Sequence, residues 1–412
     1  MSVRVIAPLL LCSPGFALSV RAQLGATASP SQFDPPAAVE TMLTADQDLA
    51  PRGAAPAISP WSNPLKWGPV EAKPFLNFSA TYGDGLLAAP GLSRTTVTEM
   101  VSPGALIQLG DRWSINYIPT LTFYSNKSFK DTLAHNVSFR GGTRWREWAF
   151  GVTQGYSASD NPLIETGRQT EQEIFNTALS ASHPFGSRWL LEFGVNQNFR
   201  FADTLNSSRS WSTMEWLNHQ FAPRMSVGIG VGGGFDDVLV GIDMFNEQVQ
   251  GRFNLRVAEK INLSLNSGAE FRQFDFPGSE TLISPLYGAS IEYKPFEQTT
   301  LTLSGNKMIS PSLFQDQIND TTEISLALRQ RLLGLFFLTL SAGLDNRDFM
   351  SSTPGFLASR SDETKRFRAS LSYAFWGRAS SSIFYSYTRN QSSQTGFSLS
   401  SSMIGLNLGY HF

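Results

Sequence analysis

The feature that most limits the fold is a rhythm in the connections. From Pro74 onward, apolar and polar side chains alternate through repeated segments of about ten or more residues, the period-2 pattern of strands with two unlike faces. Short links such as Gly110-Asp111, Ala222-Pro223, Ala258-Glu259 and Leu333-Gly334 take turns with long polar ones such as residues 84–95, 157–168, 236–244 and 310–318. Eight short and nine long connections imply eighteen strands that begin and end on the short-turn side. Sixteen follow if the segments at 97–109 and 170–182 are not strands. The expected fold is all-β: a closed antiparallel up-and-down barrel. A β-sandwich would alternate apolar and polar residues too, but its strands average about five or six residues and nothing in it requires alternating turn lengths.

Aromatic residues gather where the strands meet the short turns: Trp113, Trp145, Trp148, Phe185, Trp189, Phe221, Tyr293, Phe336, Phe375, Trp376, Tyr410 and Phe412. Tyr82, Phe123, Tyr156 and Phe175 mark a second belt near the long connections. Amphipathic rings at two levels are what a pair of membrane interfaces selects. No run past the N-terminus supplies the roughly 18 apolar residues of a spanning helix; residues 332–344 are too short and interrupted. Strands cross hydrocarbon only when the sheet closes, because each unpaired backbone group there costs several kcal/mol. Pro119, inside its strand, is expected to need a bulge, whereas Pro285 falls at a strand rim.

The N-terminal part reads differently. Residues 1–22 have the charged start, apolar stretch and small residues of a secretory signal, with cleavage expected after Ala22. Residues 23–72 form a leader rich in Pro and Ala, expected to be mostly disordered in the periplasm, and residues 73–412 form the barrel. The sole cysteine, Cys12, lies within the signal, so the mature chain has no disulfide to lean on. Loss of Arg4 and Arg21 leaves 30 basic residues against 34 acidic, a balance that argues against nucleic acid as a partner.

Little in the sequence suggests catalysis or a cofactor. His135, His183, His219 and His411 are scattered without metal-ligand spacing. His135 and Ser138 stand three apart on a strand and so on opposite faces. Asp236, Asp237, Asp243, Asp316, Asp320, Asp345 and Asp348 lack the spacing of a calcium loop and read as solvated carboxylates. Gly228, Gly230 and Gly232 share one face of "GIGVGGGF", leaving room either for the lumen or for an inward-folded loop.

The polar faces carry more signal. Arg252, Arg256, Arg272, Arg329, Arg331, Arg366 and Arg368 alternate with Asn, Ser and Gln, and Glu192, Glu270, Glu292 and Glu323 are available as partners. An arginine facing lipid at mid-depth would cost about 2–4 kcal/mol, so these residues are expected to line a wet pore. They would tune its selectivity, brace its wall, or both.

The terminal "GLNLGYHF" resembles the C-terminal signal read by the bacterial barrel-assembly machinery, with Ile404, Leu406, Leu408, Tyr410 and Phe412 as its alternating positions. Residues 74–412 are similar to the β-barrel porin families associated with exopolysaccharide gene clusters, notably through "NKMISPSLFQDQINDTTEISLALRQRLLGLFFLTLSAGL". The resemblance implies an integral barrel of the Gram-negative outer membrane with both termini periplasmic, in contact with lipid and lipopolysaccharide and assembled by that machinery. It also implies passage of polar solutes or glycans, with polysaccharide export components as partners. The alternative is a non-conducting surface barrel whose long loops bind or adhere. No enzyme activity is expected.

Overall fold

The computed structural model describes residues 65–85, 95–203, 205–352, 360–375 and 377–412. The expected signal peptide, most of the leader and Trp376 lie outside the described residues. Every regular element among the described residues is a strand. A short strand β1 (Leu65–Trp67) precedes β2 (Val70–Asp84), β3 (Thr95–Leu109), β4 (Trp113–Tyr124), β5 (Thr132–Trp145), β6 (Trp148–Leu163) and β7 (Arg168–Phe185). Then come β8 (Trp189–Ala202), β9 (Ser208–Ala222), β10 (Met225–Val238), β11 (Met244–Val257), β12 (Ile261–Phe274) and β13 (Leu282–Tyr293). The last six are β14 (Thr299–Pro311), β15 (Gln317–Leu332), β16 (Phe336–Ser351), β17 (Arg360–Phe375), β18 (Ala379–Ser392) and β19 (Leu399–His411).

From β2 to β19 each strand pairs antiparallel with the next, and β19 returns to β2 in the register Met403↔Gly83 through His411↔Phe75. The result is a closed barrel of eighteen strands. The segments at 97–109 and 170–182 belong to β3 and β7, so the count is not sixteen. β1 folds back on the start of β2, with Trp67 opposite Val70, beside the end of β19. The strand pairing therefore starts ahead of residue 73, where the sequence alone placed the barrel's beginning.

Alternation decides which face is which. Ile404, Leu406, Leu408 and Tyr410 are exposed on the convex face of β19, as are Ile229 and Val231 on β10 and Phe367 and Leu371 on β17. The intervening residues point into the enclosed lumen, as the period-2 geometry requires. Ten residues separate the two aromatic levels on many strands, for example Trp113 from Phe123 and Phe221 from Trp211. At about 3.3 Å per residue and a tilt of about 40°, that spacing gives an apolar band of about 25 Å.

Pro119 needs no bulge. The β3–β4 ladder is interrupted between Val101↔Leu121 and Ala105↔Tyr117, with equal numbers of residues on both sides, which places Pro103 opposite Pro119. Two residues without a donor face each other, so one local interruption accommodates both. The Ser102 and Thr120 hydroxyls, 2.9 Å apart, bridge it from the lumen side.

A second break is larger. β13 and β14 pair only from Tyr293↔Leu301 to Gly288↔Asn306, whereas β14 and β15 remain paired up to Pro311↔Ile318. Above the break, Ile309 and Ile318 have the parity of the exposed Leu303 and Ile324 but are buried. They pack against Val238, Met244, Phe274 and Leu282, which belong to the inner faces of β10 to β13. The tip of the β14–β15 hairpin has therefore passed inside the neighbouring wall and overlaps it.

This seam can be checked with engineered cysteines. Ile291→Cys with Leu303→Cys, an in-register pair on the outer face, should oxidise to a disulfide visible on a non-reducing gel. Tyr287→Cys with Lys307→Cys, the positions that would pair if the ladder continued, should stay reduced. A disulfide in the second pair would show the seam to be zipped.

Candidate functional site: the lumen and its long-loop end

The seven arginines and four glutamates expected on the pore faces all stand on inward-facing rows, but the structure divides them into separate groups. On β8 to β11, Arg252 forms an ion pair with Glu192, donates from Nε to Asn218 Oδ1 at 2.6 Å, and lies 4.5 Å over the Trp216 ring. Asn218 donates in turn to Glu192 at 2.8 Å. The glycine row of β10 makes this group possible. A Cβ at Gly228 would come within 2.3 Å of Asn218 Oδ1, and one at Gly230 within 2.8 Å of the Trp216 ring. At these two positions the space is used by neighbouring side chains, neither left as open lumen nor filled by a loop.

Arg272 is fully buried between Asp236, at 2.9 Å, and Glu270, at 2.8 Å, close to Met244 under the overlapping hairpin. Arg366 bridges Glu323 at 2.8 Å and Asp345 at 2.7 Å. The reading of the loop-side aspartates as solvated is thus corrected. Asp236 and Asp345 are ion-paired inside the ring, and Asp320 pairs with Lys307 at 2.8 Å on the tucked hairpin. Near the short turns, Arg329 and Arg331 lie 5.2 and 5.7 Å over Phe337 and Arg256 is exposed, while Arg368, midway along β17, lies 4.2 Å over Phe384. Together β15 to β17 place six inward arginines, Arg329, Arg331, Arg347, Arg360, Arg366 and Arg368, against three carboxylates, Glu323, Asp345 and Asp362.

The long-loop end contains residues that the sequence did not single out. The β6–β7 link is only the four-residue turn 164–167, because both strands continue well into the stretch read as loop. Glu165 at its tip is buried and reaches the β14–β15 tip. Its Oε1 accepts from the Ser312 hydroxyl at 2.8 Å and the Leu313 N–H at 2.9 Å. Arg347 lies 3.6 Å from its other oxygen, and Arg360 donates to the Glu165 backbone carbonyl at 3.0 Å. Arg360 is itself held by Asp362 and by the rings of Phe349 at 4.3 Å and Phe397 at 3.8 Å. In a ring of eighteen strands, β6–β7 and β15–β16 are nine positions apart. The contact therefore spans the lumen, with Leu163, Ala202 and Leu313 forming a small apolar cluster beside it.

Burial alone would raise the pKa of Glu165, but Arg347, Arg200, the Leu313 amide and the Ser312 hydroxyl together hold it below its ordinary value of 4.5. A lowered folded-state value means the contact is fully present above the ordinary carboxylate range and is lost as pH falls through the lowered one.

Glu292 accepts from Asn262 at 3.0 Å and meets Lys294 at 2.7 Å, in the same cross-strand row as Arg256. His135 faces outward against the Tyr117 hydroxyl at 3.1 Å, with Ser138 on the other face.

No family model and no curated protein sequence matches this chain. Among solved structures, it is similar to Acinetobacter baumannii OccAB2, with 10% identity, TM-score 0.46, and coverage of 83% of this chain and 98% of that one. Pseudomonas aeruginosa OpdL gives 11% identity, TM-score 0.44, and coverage of 83% and 98%. The siderophore receptor PirA from Acinetobacter baumannii gives 8% identity, TM-score 0.42, and coverage of 83% and 80%. At these values the likeness carries no activity across.

The Glu165 contact predicts a pH response with a definite sign. A fluorophore on Ile164→Cys should report an unchanged docked turn from pH 8 down to about pH 5 and release only below about pH 4, the bottom of the ordinary carboxylate range. Glu165→Gln should weaken docking at neutral pH and abolish the acid step. A wild-type midpoint near pH 6 would contradict the contact.

Proposed function

We propose that this chain is a porin-like barrel of the Gram-negative outer membrane that gives passive passage to polar solutes, glycans among them. In this reading the short turns and both termini face the periplasm. The observation that carries the reading is the contrast between the two faces. The outside is an apolar band between aromatic girdles, whereas the inside bears arginines, carboxylates and amides that hydrocarbon would reject at about 2–4 kcal/mol for each mid-depth arginine. Six arginines against three carboxylates on β15 to β17 give that wall a positive bias, so anions should be favoured over cations of similar size. Service as the exit conduit of an exopolysaccharide system is the finer form of this proposal and rests on the sequence resemblance.

One observation favours a second reading, a surface barrel that does not conduct. The β6–β7 turn and the β14–β15 tip meet across the lumen at the Glu165 contact. Planar-bilayer recording separates the two. The channel reading expects stepwise conductance with an anion-selective reversal potential, and Arg329→Gln with Arg368→Gln should move that potential toward cations. Membranes that stay silent at all voltages would leave the non-conducting barrel.

Assembly is the remaining part of the proposal. The outward row Ile404, Leu406, Leu408, Tyr410 and Phe412 lies on the strand that closes the ring, at the periplasmic rim, where the barrel-assembly machinery could read it. Polar residues appended after Phe412 should reduce the fraction of chain that reaches the heat-modifiable, folded form in the outer membrane. An unchanged fraction would dismiss this role.

A further inference from the structure

On most of the ring, outward positions between the aromatic girdles are apolar. β6 to β9 depart from this. Gln154, Thr177, Gln197, Thr213 and Glu215 all have outward parity, shared with the exposed Phe150, Leu179, Val195 and Leu217 on the same four strands. Counted from the short-turn aromatics, Gln154 lies six residues above Trp148 and Glu215 six above Phe221. Thr177 lies eight above Phe185, and Gln197 eight above Trp189. The second girdle comes at ten, with Phe175, Phe199 and Trp211, so these polar groups lie inside the apolar band and are not at its edge.

Within the chain only Gln154 and Thr177 are relieved: Thr177 donates to Gln154 Oε1 at 2.6 Å, and Gln154 Nε2 donates one of its two N–H groups to the Gly155 carbonyl at 3.2 Å, which leaves the other free for a partner. Among the described residues, no hydrogen-bond or ionic partner is found for Gln197, Thr213 or Glu215. A carboxylate and an amide facing lipid are costly, and polar groups at this depth persist where another surface covers them.

We propose that this face is covered by a second copy of the chain, related by a two-fold axis that runs along the membrane normal between β7 and β8. The proposal rests on the outer-membrane reading above. Its argument is self-complementarity in both order and height. Such an axis sets β8 against the partner's β7 and β9 against its β6, and leaves every residue at its own depth. Gln197 then meets the partner's Thr177 at the eighth level. Glu215, which needs a donor, meets the partner's Gln154 amide at the sixth.

The shape of the two walls agrees. Convex barrels approach most closely at the axis, where Thr177, Leu179 and Val195 are short or apolar, and diverge at the flanks, where the longer Gln154 and Glu215 stand. An axis placed on another strand pair would break either the height match or the pairing of donor with carboxylate.

The test uses the full-length barrel in lipid nanodiscs. Native mass spectrometry should give twice the chain mass for the wild type and a single chain mass for Gln197→Leu with Glu215→Leu, with heat-modifiable migration confirming that both are folded. Should that double variant fail to fold, Val195→Cys keeps the question open to experiment, since it leaves the polar row intact and places a thiol beside the axis. A short bis-maleimide should join Val195→Cys into a covalent dimer and leave Leu371→Cys, on the far wall, unlinked. A monomeric or trimeric wild type, a double variant that remains dimeric, or equal linking at the two cysteines would each overturn the proposal.

Discussion

Ring closure between β19 and β2 is the interaction on which the rest depends. An open sheet in hydrocarbon would expose a full edge of unpaired N–H and C=O groups, at several kcal/mol each. The register from Met403↔Gly83 to His411↔Phe75 removes that edge by joining strands at opposite ends of the described chain. Closure also creates the inside. Once the apolar rows are committed to the convex face, the alternate rows have no destination except the lumen, and their charges must be arranged there.

How those charges are arranged follows from register more than from composition. Arg252 reaches Glu192 because β8 to β11 bring Asn218, Gly228 and Arg252 into one row, and because the glycines on β10 remove the side chains that would stand in the way. Arg366 serves two carboxylates on different strands, and Arg272 does the same in a more deeply buried setting. A buried arginine with two acidic neighbours adds little net stability over an apolar replacement, yet removing one member strands a charge. Such groups restrict which arrangements of the wall are tolerable.

The period-2 pattern made the eighteen strands, the two aromatic levels and the inward rows legible in the sequence, because side-chain parity is a local property. What was not legible depended on relations between distant segments. Pro119 looked like a fault until Pro103 proved to stand opposite it. Ile309 and Ile318 carry the parity of lipid-facing neighbours, and nothing in "NKMISPSLFQDQI" says that the strand pair leaves the ring. Glu165 occupies an ordinary polar turn, and its partners lie on β8, on β16 and beyond the end of β14. Only the closed ring brings them within reach.

The overlap between β13 and β14 has a mechanical consequence. A closed barrel behaves as a stack of hoops, and each hoop resists widening because any increase in girth must part a row of hydrogen bonds. Below Gly288 and the β3–β4 interruption every hoop here is complete. Above Gly288, one seam is lapped and not bonded, with Ile309 and Ile318 packed against Met244, Phe274 and Leu282. In that upper part no row of hydrogen bonds across the seam fixes the circumference, and that task passes to apolar packing at the lap and to the contacts that hold the hairpin tip, Arg200 to the Pro311 carbonyl and Glu165 to Ser312 and Leu313.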